Sequence, residues 1–341
     1  MLVLVEIGQE RLFKRKTRKE KQDLERTGLS QLAFMSSESK GRTVDEEQDL
    51  YDTPFEVDVK RILSSNAYRR LNGKTQVFTL PRFYDVRNRL IHTQNVARLS
   101  TKVARELGLN EDLSAAIAYG HDVGHPPGGH KGERILSKIL GRPFRHQENS
   151  VVMLNKEGLN LTYEVLDGIL KHSCGMERVN SCELPETKEG LVVVYVDKGE
   201  YIFHDIEEAC RAGIISMDNL PLSSLKTFGR KLPERIENYI ESLIDASLGS
   251  SNIKLPDEVY GVFEELREFM YKYVYRDIRI ATEEDKFGRG LLELYERLPY
   301  MEAFYYLDTN NKEEITFALS CLTDTEALSY INDFRSPNSL V

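Results

Sequence analysis

The sequence has few of the features that mark secreted or membrane proteins. Its 341 residues include only four cysteines, Cys174, Cys182, Cys210 and Cys321, and their irregular spacing fits neither a zinc ribbon nor a disulfide framework. No apolar run approaches the roughly 18 residues of a membrane-spanning helix. The opening residues, 1–6, lack the basic region of a signal peptide and reach an acid early. We therefore expect a cytoplasmic protein that does not associate with membranes.

The charge of the chain is unevenly distributed. The net charge is −9, yet the segment from Lys60 to Arg105 contains eleven basic residues and one acid, Asp85. A local basic field on an acidic body can concentrate a small anion such as a nucleotide. The alternative is a set of solvated helix faces. Weak binding of single-stranded nucleic acid is a further alternative for such a segment.

Apolar residues at helical spacing predict a long helix over 87–107. The positions on its inward face are His92, Val96, Leu99, Val103 and Leu107. Gly108 supplies a stop signal, and Asn110 can cap the next helix, which runs from Glu111 to about Tyr119.

The rest of the chain also favours helices. The double proline after His125 predicts a constrained turn, followed by a helix from about His130 to Leu140. Residues 191–212 begin with strand propensity, but the spacing of their second half is helical, so we expect a helix. The fold class predicted is all-α, with few or no short strands.

We expect residues 1–35 to form a basic N-terminal arm or helix and residues 36–341 to form a single domain. Within that domain, a metal-binding core covers about 60–212 and a C-terminal helical part covers about 213–341.

The most informative stretch runs from His121 to Glu133, and three of the seven histidines fall between His121 and His130. The adjacent His121 and Asp122 offer one nitrogen and one oxygen ligand to the same cation. Such a pair often occurs by chance. It becomes specific when it is followed by Gly-His-Pro-Pro-Gly-Gly-His-Lys-Gly-Glu, as it is here.

Four residues form a candidate metal-ligand set: His92, His121, Asp122 and Asp197. Two imidazoles and two carboxylates make a mixed site that suits Mn²⁺, Fe²⁺, Zn²⁺, Ni²⁺ or Mg²⁺. The alternative for His92 is a core histidine with a satisfied hydrogen bond. The metal site is favoured because a carboxylate directed into a core requires a cation or several donors.

Three residues on one predicted helix suggest a substrate-binding face. Asp197, Tyr201 and Asp205 are spaced at i, i+4 and i+8, and Lys198 is adjacent. A phenol and a carboxylate beside a metal suit a sugar hydroxyl and phosphate oxygens. The alternatives are core packing for Tyr201 and a helix salt bridge for Asp205.

The turn after the metal pair contains a candidate proton shuttle. His130 and Glu133 lie three residues apart at a predicted helix start, so the carboxylate can orient the imidazole. The alternative is a solvated turn. His146 is a further candidate, whereas the spacing of His172 and His204 indicates no role.

Together these segments resemble the HD-domain superfamily of metal-dependent phosphohydrolases, and more closely the deoxynucleoside triphosphate (dNTP) triphosphohydrolases, the dGTPase-like proteins. The segments that carry the resemblance are Ser39–Arg42, Asp58–Phe78, Arg89–His92, His121–Glu133, His146–Ser150, Asp197–Ala209, Phe269–Tyr275 and Thr323–Ala327.

The resemblance implies an HD-domain fold and hydrolysis of a dNTP to the deoxynucleoside and tripolyphosphate, with attack at the α-phosphorus. It implies these roles: His92, His121, Asp122 and Asp197 hold a divalent metal ion; Arg89, Lys198 and His125 contact phosphates; His130, oriented by Glu133, transfers the proton; Tyr201 and Asp205 bind the deoxyribose; Gln76 lies near the sugar or base; and His146 and Tyr275 also belong to the substrate pocket.

The resemblance further implies a homo-oligomer built from dimers, such as a tetramer or hexamer, and a second, allosteric dNTP. Two alternatives to the dNTP triphosphohydrolase stay open: another HD phosphohydrolase, and a nucleotide-binding or nucleic-acid-binding regulator. The sequence departs from the family pattern at Gly128, where an aromatic residue is usual, and at Gly199 and Glu200, where an apolar pair is usual.

Overall fold

The computed structural model describes residues 14–76, 86–173 and 183–335, and the regular structure of these residues is helical. The α-helices are α1 (Arg18–Gly28), α2 (Pro54–Ser64), α3 (Asn66–Arg70), α4 (Arg89–Glu106), α5 (Glu111–Gly120), α6 (Gly129–Leu140), α7 (His146–Lys156), α8 (Tyr163–Lys171), α9 (Lys188–Arg211), α10 (Leu222–Phe228), α11 (Leu232–Ser247), α12 (Asp257–Tyr273), α13 (Ile278–Arg297), α14 (Lys312–Ser320) and α15 (Asp324–Arg335). Within the described ranges there is no strand, only two isolated β-bridges. The all-α prediction is confirmed.

The bounds of α4 and α5 lie within two residues of those predicted from the sequence. Asn88 caps α4 by accepting a hydrogen bond from the backbone N of Ile91 at 3.0 Å. Asn110 caps α5 in the same way, 3.1 Å from the backbone N of Leu113. These caps satisfy N–H groups that have no partner inside the helix, which fixes where each helix starts.

Helix α9 is the longest helix described and passes through the main hydrophobic core. Its valines have strand propensity, but Val192, Val193 and Val196 are fully buried against neighbouring helices. Tertiary burial therefore outweighs their local preference. The prediction of a helix over 191–212 is confirmed.

A second, smaller hydrophobic cluster joins the C-terminal helices to α6. Ile135 and Leu136 of α6 pack with Phe287 and Leu291 of α13 and with Ile331 of α15. Because α6 begins inside the His121–Glu133 segment, this cluster fixes the C-terminal helices next to that segment. The domain boundaries given above stay a prediction.

Helix α1 lies on the surface, and none of its residues is buried. The backbone N of Arg18 donates to the carbonyl of Leu50 at 2.9 Å, and Lys21 forms an ion pair with Glu56 of α2 at 2.5 Å. The N-terminal helix is thus attached to the chain that leads into α2. Cys210 and Cys321 are free, and Cys174 and Cys182 lie outside the described residues.

Most basic residues between Lys60 and Arg105 form ion pairs with acids from other parts of the chain. The pairs are Lys60 with Asp52, Arg61 with Glu46, Arg70 with Glu157, Arg87 with Glu200, Arg89 with Asp122, Lys102 with Glu241 and Arg105 with Glu111. Folding therefore neutralises much of the local positive charge, which weighs against a face that binds nucleic acid.

None of the helices in the described ranges is both long enough and apolar enough to cross a membrane.

Candidate metal centre and active site

The four side chains that the sequence singled out as metal ligands converge. His92 on α4 places Nε2 3.0 Å from Oδ1 of Asp197 on α9. His121, at the end of α5, places Nε2 3.7 Å from the same Asp197 oxygen and 3.7 Å from Oδ2 of Asp122. The Nε2 atom of His92 is 3.8 Å from that Asp122 oxygen. Two nitrogens and two oxygens from three parts of the chain thus surround one point.

Hydrogen bonds at the far side of each ring fix which nitrogen faces that point. The Nδ1 atom of His121 donates to the carbonyl of Ala118 at 2.6 Å, and Nδ1 of His92 donates to the carboxylate of Glu200. With the proton on Nδ1, each Nε2 offers a lone pair to the centre. This is the usual arrangement of histidines that bind metals.

The donor set fits a divalent cation. Ligands bound at about 2.1 Å from one ion lie roughly 3–4 Å apart, and the four pairwise distances given above fall in that range. In addition, Nε2 of His121 is buried and has no hydrogen-bond partner among the described residues. A buried polar atom without a partner costs free energy, and a cation would satisfy this one.

Asp122 is held as a carboxylate by its neighbours. Burial alone would raise its pKa, but His121, His125 and Arg89 outweigh burial and hold the pKa of Asp122 well below its usual value. The Nη1 atom of Arg89 donates to Oδ2 at 2.6 Å, and Nε2 of His125 lies 3.1 Å from Oδ1. The charged form is the one that binds metal.

The His130 and Glu133 pair forms as the spacing predicted, and His146 joins it. One oxygen of Glu133 is 2.9 Å from Nδ1 of His130, and the other is 2.8 Å from Nδ1 of His146. The His130 side chain is 68% exposed, whereas the side chains of Glu133 and His146 are mostly buried. Burial would raise the pKa of Glu133, but His130 and His146 hold it well below its usual value. An exposed imidazole oriented by a buried carboxylate can exchange a proton with a ligand.

His125 stacks on His146 with ring centres 3.8 Å apart. Burial, followed by the positive charge of Arg89, holds the pKa of His125 well below its usual value.

Asp197, Tyr201 and Asp205 all lie on α9, at the helical spacing that the sequence predicted, but both carboxylate oxygens of Asp205 already accept hydrogen bonds. Its Oδ1 accepts from Arg87 at 2.9 Å, and its Oδ2 accepts from the hydroxyl of Tyr275 at 2.7 Å. Burial raises the pKa of Asp205 to about 7. Tyr201 is partly buried on the same face, and burial lowers the pKa of Lys198 to about 8.

Gln76 lies beside Arg89, whose Nη2 donates to the Gln76 carbonyl at 3.3 Å. The side-chain Oε1 of Gln76 is buried and has no partner among the described residues. It is therefore available to a ligand donor.

The turn that carries the His-Asp pair packs tightly against α7. A Cβ atom added at Gly124 would lie 2.1 Å from the backbone N of Ser150. The Ser150 hydroxyl accepts from the Gly124 N at 2.9 Å, and the Asn149 amide donates to the Gly124 carbonyl at 2.8 Å. Gly128, where the family pattern has an aromatic residue, adopts a φ of 72° that favours glycine.

Two residues far apart in sequence support this turn, and neither was assigned a role from its spacing. The ammonium of the buried Lys74 donates to the carbonyls of His125 and Ser320. Asp324 accepts from the backbone N of Gly128 at 2.9 Å and from that of Thr75 at 3.0 Å. The C-terminal helices thus hold the turn in place.

Two further residues at the site escaped prediction. Glu200, a departure from the family pattern, contacts both His92 and Arg87. His172, at the end of α8, is buried with its ring centre 4.9 Å from that of His121. The departure at Glu200 was a signal that could have been used, whereas no local pattern marks His172.

Comparisons with known proteins show which family this chain resembles. The HD domain family matches residues 89–208, which span the proposed ligands. The chain is 39% identical over 302 residues to a deoxyguanosinetriphosphate triphosphohydrolase-like protein of Caldanaerobacter subterraneus subsp. tengcongensis, covering 87% of this chain and 85% of the relative. Similar proteins of the same description occur in Clostridium tetani, 37% identical over 86% of this chain and 85% of the relative, and in Desulfatibacillum aliphaticivorans, 39% identical over 79% and 80%.

Proposed function

Because this chain belongs to the deoxyguanosinetriphosphate triphosphohydrolase-like family of HD-domain, metal-dependent phosphohydrolases, we propose that it hydrolyses a dNTP to the deoxynucleoside and tripolyphosphate. The observation that carries the proposal is the convergence of His92, His121, Asp122 and Asp197 beside a histidine and carboxylate pair on α6. A cation site next to an oriented imidazole can catalyse phosphoryl hydrolysis, because the ion stabilises charge and the imidazole transfers a proton.

The cation would be held by Nε2 of His92 and His121 and by the carboxylates of Asp122 and Asp197. A divalent ion there supplies positive charge that polarises a phosphoryl oxygen and activates water for attack. The mixed nitrogen and oxygen set suits Mn²⁺, Fe²⁺, Ni²⁺, Zn²⁺ or Mg²⁺.

His130 is proposed as the group that transfers the proton. The carboxylate of Glu133 accepts a hydrogen bond from Nδ1 of His130, which leaves Nε2 of His130 to face a ligand. Attack of water at the α-phosphorus breaks the bond to the 5′ oxygen of the sugar. That oxygen takes up a proton, which the protonated imidazole of His130 would donate.

Arg89, Lys198 and His125 are the proposed phosphate contacts, and the first two carry the positive charge. Arg89 is oriented by Asp122 at 2.6 Å. Lys198 follows the ligand Asp197 directly, so both act from one turn of α9. Fixed positive charges at a site of low polarity stabilise the charge that develops on phosphoryl oxygens.

Tyr201 and Tyr275 are the proposed contacts of the sugar, and Asp205 accepts the hydrogen bond of the Tyr275 hydroxyl. Both oxygens of Asp205 already accept hydrogen bonds, from Arg87 and from the Tyr275 hydroxyl. Direct contact between Asp205 and a sugar hydroxyl would need one of these bonds to open. Gln76, with its unpartnered side-chain oxygen, would lie near the sugar or base.

The test is product analysis. Purified protein is incubated with each dNTP and each ribonucleotide in the presence of Mn²⁺ or Mg²⁺ in water enriched in ¹⁸O, and the products are separated by anion-exchange chromatography. We expect deoxynucleoside and tripolyphosphate, with the label in the tripolyphosphate because water attacks phosphorus. Nucleoside monophosphate with pyrophosphate would refute the proposal and indicate another HD phosphohydrolase. Absence of turnover would indicate a binding regulator.

The remaining inferences from the resemblance stay predictions. These are a homo-oligomer built from dimers and a second nucleotide that acts allosterically. The cytoplasmic location, which was inferred from composition and not from the resemblance, also stays a prediction. Sedimentation of the protein with and without dNTPs tests the first two together.

A further inference from the structure

Asp324, the first residue of α15, touches two segments of the site at once. Its Oδ1 accepts a hydrogen bond from the backbone N of Gly128 at 2.9 Å. Its Oδ2 accepts from the backbone N of Thr75 at 3.0 Å and also from the Thr75 hydroxyl. One carboxylate therefore joins two segments that lie far apart in the sequence.

Both segments lead directly to side chains that the proposed reaction uses. Thr75 precedes Gln76, whose buried side-chain oxygen has no partner among the described residues. Gly128 lies immediately before α6, and the second residue of α6 is His130. The carboxylate of Asp324 thus connects the backbone next to a candidate sugar or base contact with the backbone next to the candidate proton donor.

The turn at Gly128 has little restraint of its own. Gly128 and Gly129 have φ angles of 72° and 52°, in the left-handed region. Glycine adopts this conformation readily, but it also leaves it readily because it has no side chain. A hydrogen bond from the Gly128 N–H to a fixed acceptor therefore restrains a backbone that its own residues leave free.

Asp324 is a fixed acceptor because it is buried and its neighbours are held in place. The residue is 2% exposed, and a buried carboxylate requires donors to offset the loss of water. The ammonium of Lys74 donates to the carbonyl of Ser320 at 2.9 Å, just before α15. A Cβ atom added at Gly73 would lie 2.6 Å from the side chain of Thr323, so the two segments are in close contact.

We propose that Asp324 is a positioning residue that sets the distance between Gln76 and His130, acting through the backbone of Thr75 on one side and of Gly128 on the other. The proposal rests on the proposed function in one respect, because the roles of Gln76 and His130 come from it. Misplacing a reacting group by about 1 Å can lower a rate by about 100-fold, so the effect of Asp324 falls on turnover.

The competing explanation is that Asp324 only stabilises the start of α15. A carboxylate in the first turn of a helix interacts favourably with the helix dipole. Its loss would then lower the stability of the protein and leave the rate of the reaction unchanged.

Glu326 provides the matched control for this explanation. It belongs to the same helix start, where its Oε2 accepts from the backbone N of Thr323 at 2.7 Å. Its side chain is exposed, and its hydrogen bonds are with Thr323 rather than with Thr75 or Gly128. Glu326→Ala therefore weakens the start of α15 without touching the two segments of the site.

The first experiment compares Asp324→Asn with Glu326→Ala in the full-length, Mn²⁺-loaded protein. The asparagine keeps the shape of the side chain, but its amide nitrogen cannot accept from the second N–H group. We expect Asp324→Asn to retain the wild-type metal content and to lower kcat/KM by about 100-fold. Glu326→Ala should keep the wild-type kcat and KM.

Steady-state release of tripolyphosphate measures the two kinetic constants, and elemental analysis measures the metal. Wild-type kcat and KM in Asp324→Asn, or an equal loss of kcat/KM in both variants, would overturn the positioning role.

The second experiment does not depend on the reaction. Hydrogen exchange of the full-length protein, followed by mass spectrometry, reports on the N–H groups of Thr75 and Gly128. We expect faster exchange at both segments in Asp324→Asn and wild-type exchange in Glu326→Ala. Faster exchange at one segment only, or at neither, would show that the carboxylate does not hold the two together.

These measurements also separate this proposal from the proposed function. If the wild type released no tripolyphosphate, the proposed function would fail, while hydrogen exchange would still decide whether Asp324 joins the two segments. If Asp324→Asn does not fold, Thr75→Val removes only the hydroxyl contact. It should lower kcat/KM by about tenfold or less, and a wild-type value would overturn the proposal.

Discussion

The carboxylate of Glu200 accepts a hydrogen bond from Nδ1 of His92, while Nε2 of that histidine faces Asp197 from 3.0 Å. Glu200 also forms an ion pair with the buried Arg87 at 2.5 Å. Burial would raise the pKa of Glu200, but Arg87 and His92 hold it well below its usual value. A charged carboxylate behind a ligand fixes its tautomer and increases its basicity, so Glu200 supports the metal centre without touching the ion.

Glu200→Gln should weaken metal binding. The amide keeps the shape and one acceptor, but it removes the negative charge behind His92. We expect the affinity for Mn²⁺ to fall about 10- to 100-fold, which is typical for the loss of such a partner. Competition with a fluorescent chelator measures this affinity. Glu241→Gln, an exposed partner of Lys102, is the control, and equal affinities in the two variants would contradict the assigned role.

His130→Ala should separate metal binding from turnover. The His130 side chain is mostly exposed, and His130 is not one of the proposed metal ligands. We therefore expect the metal content to stay at the wild-type level, while kcat falls about 10²- to 10⁴-fold because the proton donor is lost. Elemental analysis and a steady-state assay of tripolyphosphate release check the two quantities.

Asp122→Ala should lower both quantities that His130→Ala separates, the metal content and kcat. Because Asp122 lies between the ligand histidines and Arg89, its loss should abolish metal content and activity together. If both variants retained wild-type kcat, the assignment of roles would be wrong.

Glu189→Gln should change how stability depends on pH. Oε1 of Glu189 accepts from the backbone N of Phe34 at 2.9 Å and from that of Asn110 at 3.0 Å, while Oε2 is buried without a partner among the described residues. Burial raises the pKa of Glu189 to about 7 from an ordinary value of 4.5. The folded state therefore binds the proton more tightly than the unfolded state, and the resulting stability is lost as the pH rises through the folded pKa.

Relative to wild type, Glu189→Gln should gain up to about 3 kcal/mol in free energy of unfolding between about pH 5 and about pH 8. Urea denaturation at both pH values measures the difference. The exposed Glu237→Gln should show no such trend. A pH-independent difference for Glu189→Gln would mean that this carboxyl does not titrate as described.

Gly124→Ala should destabilise the fold and the metal centre together. The added Cβ would lie 2.1 Å from the backbone N of Ser150, and backbone atoms cannot move aside cheaply. We expect a loss of about 1–3 kcal/mol or more, as for other overpacked sites.

The matched variant is Gly261→Ala on α12, where a Cβ would meet nothing within 4 Å. It should stabilise the protein by about 0.5–1 kcal/mol because alanine favours helices. Thermal unfolding of the two variants gives the comparison. Equal effects would show that the turn relaxes away from α7.

Local patterns were enough to predict much of the helical structure. Asn110 caps α5, and the apolar stripe that includes His92 and Val96 lies on α4. Each feature involves a single helix, so it can be recognised from the order of residues. The candidate ligands and the candidate proton-transfer pair of the His121–Glu133 segment could also be predicted, since they lie within thirteen positions.

Residues that act across long separations could not be recognised in this way. Lys74 and Asp324 reach the turn at His125 and Gly128 from distant parts of the chain, and His172 reaches His146 from the end of α8. These residues do not recur at helical or strand spacing, so no rule based on local sequence identifies them.

The order of residues alone predicted the helices over 87–107 and from Glu111 to about Tyr119 and the cap at Asn110, because these depend on propensity or on spacing along a single element. It also provided a set of candidate ligands for one cation, and that set stays a prediction. Only the tertiary structure decided which charges pair. It brought Glu200 behind His92, placed both oxygens of Asp205 in hydrogen bonds, and set His146 against His172. The physical reason is burial: once these groups leave water, each must find a partner, and that partner depends on how the helices pack.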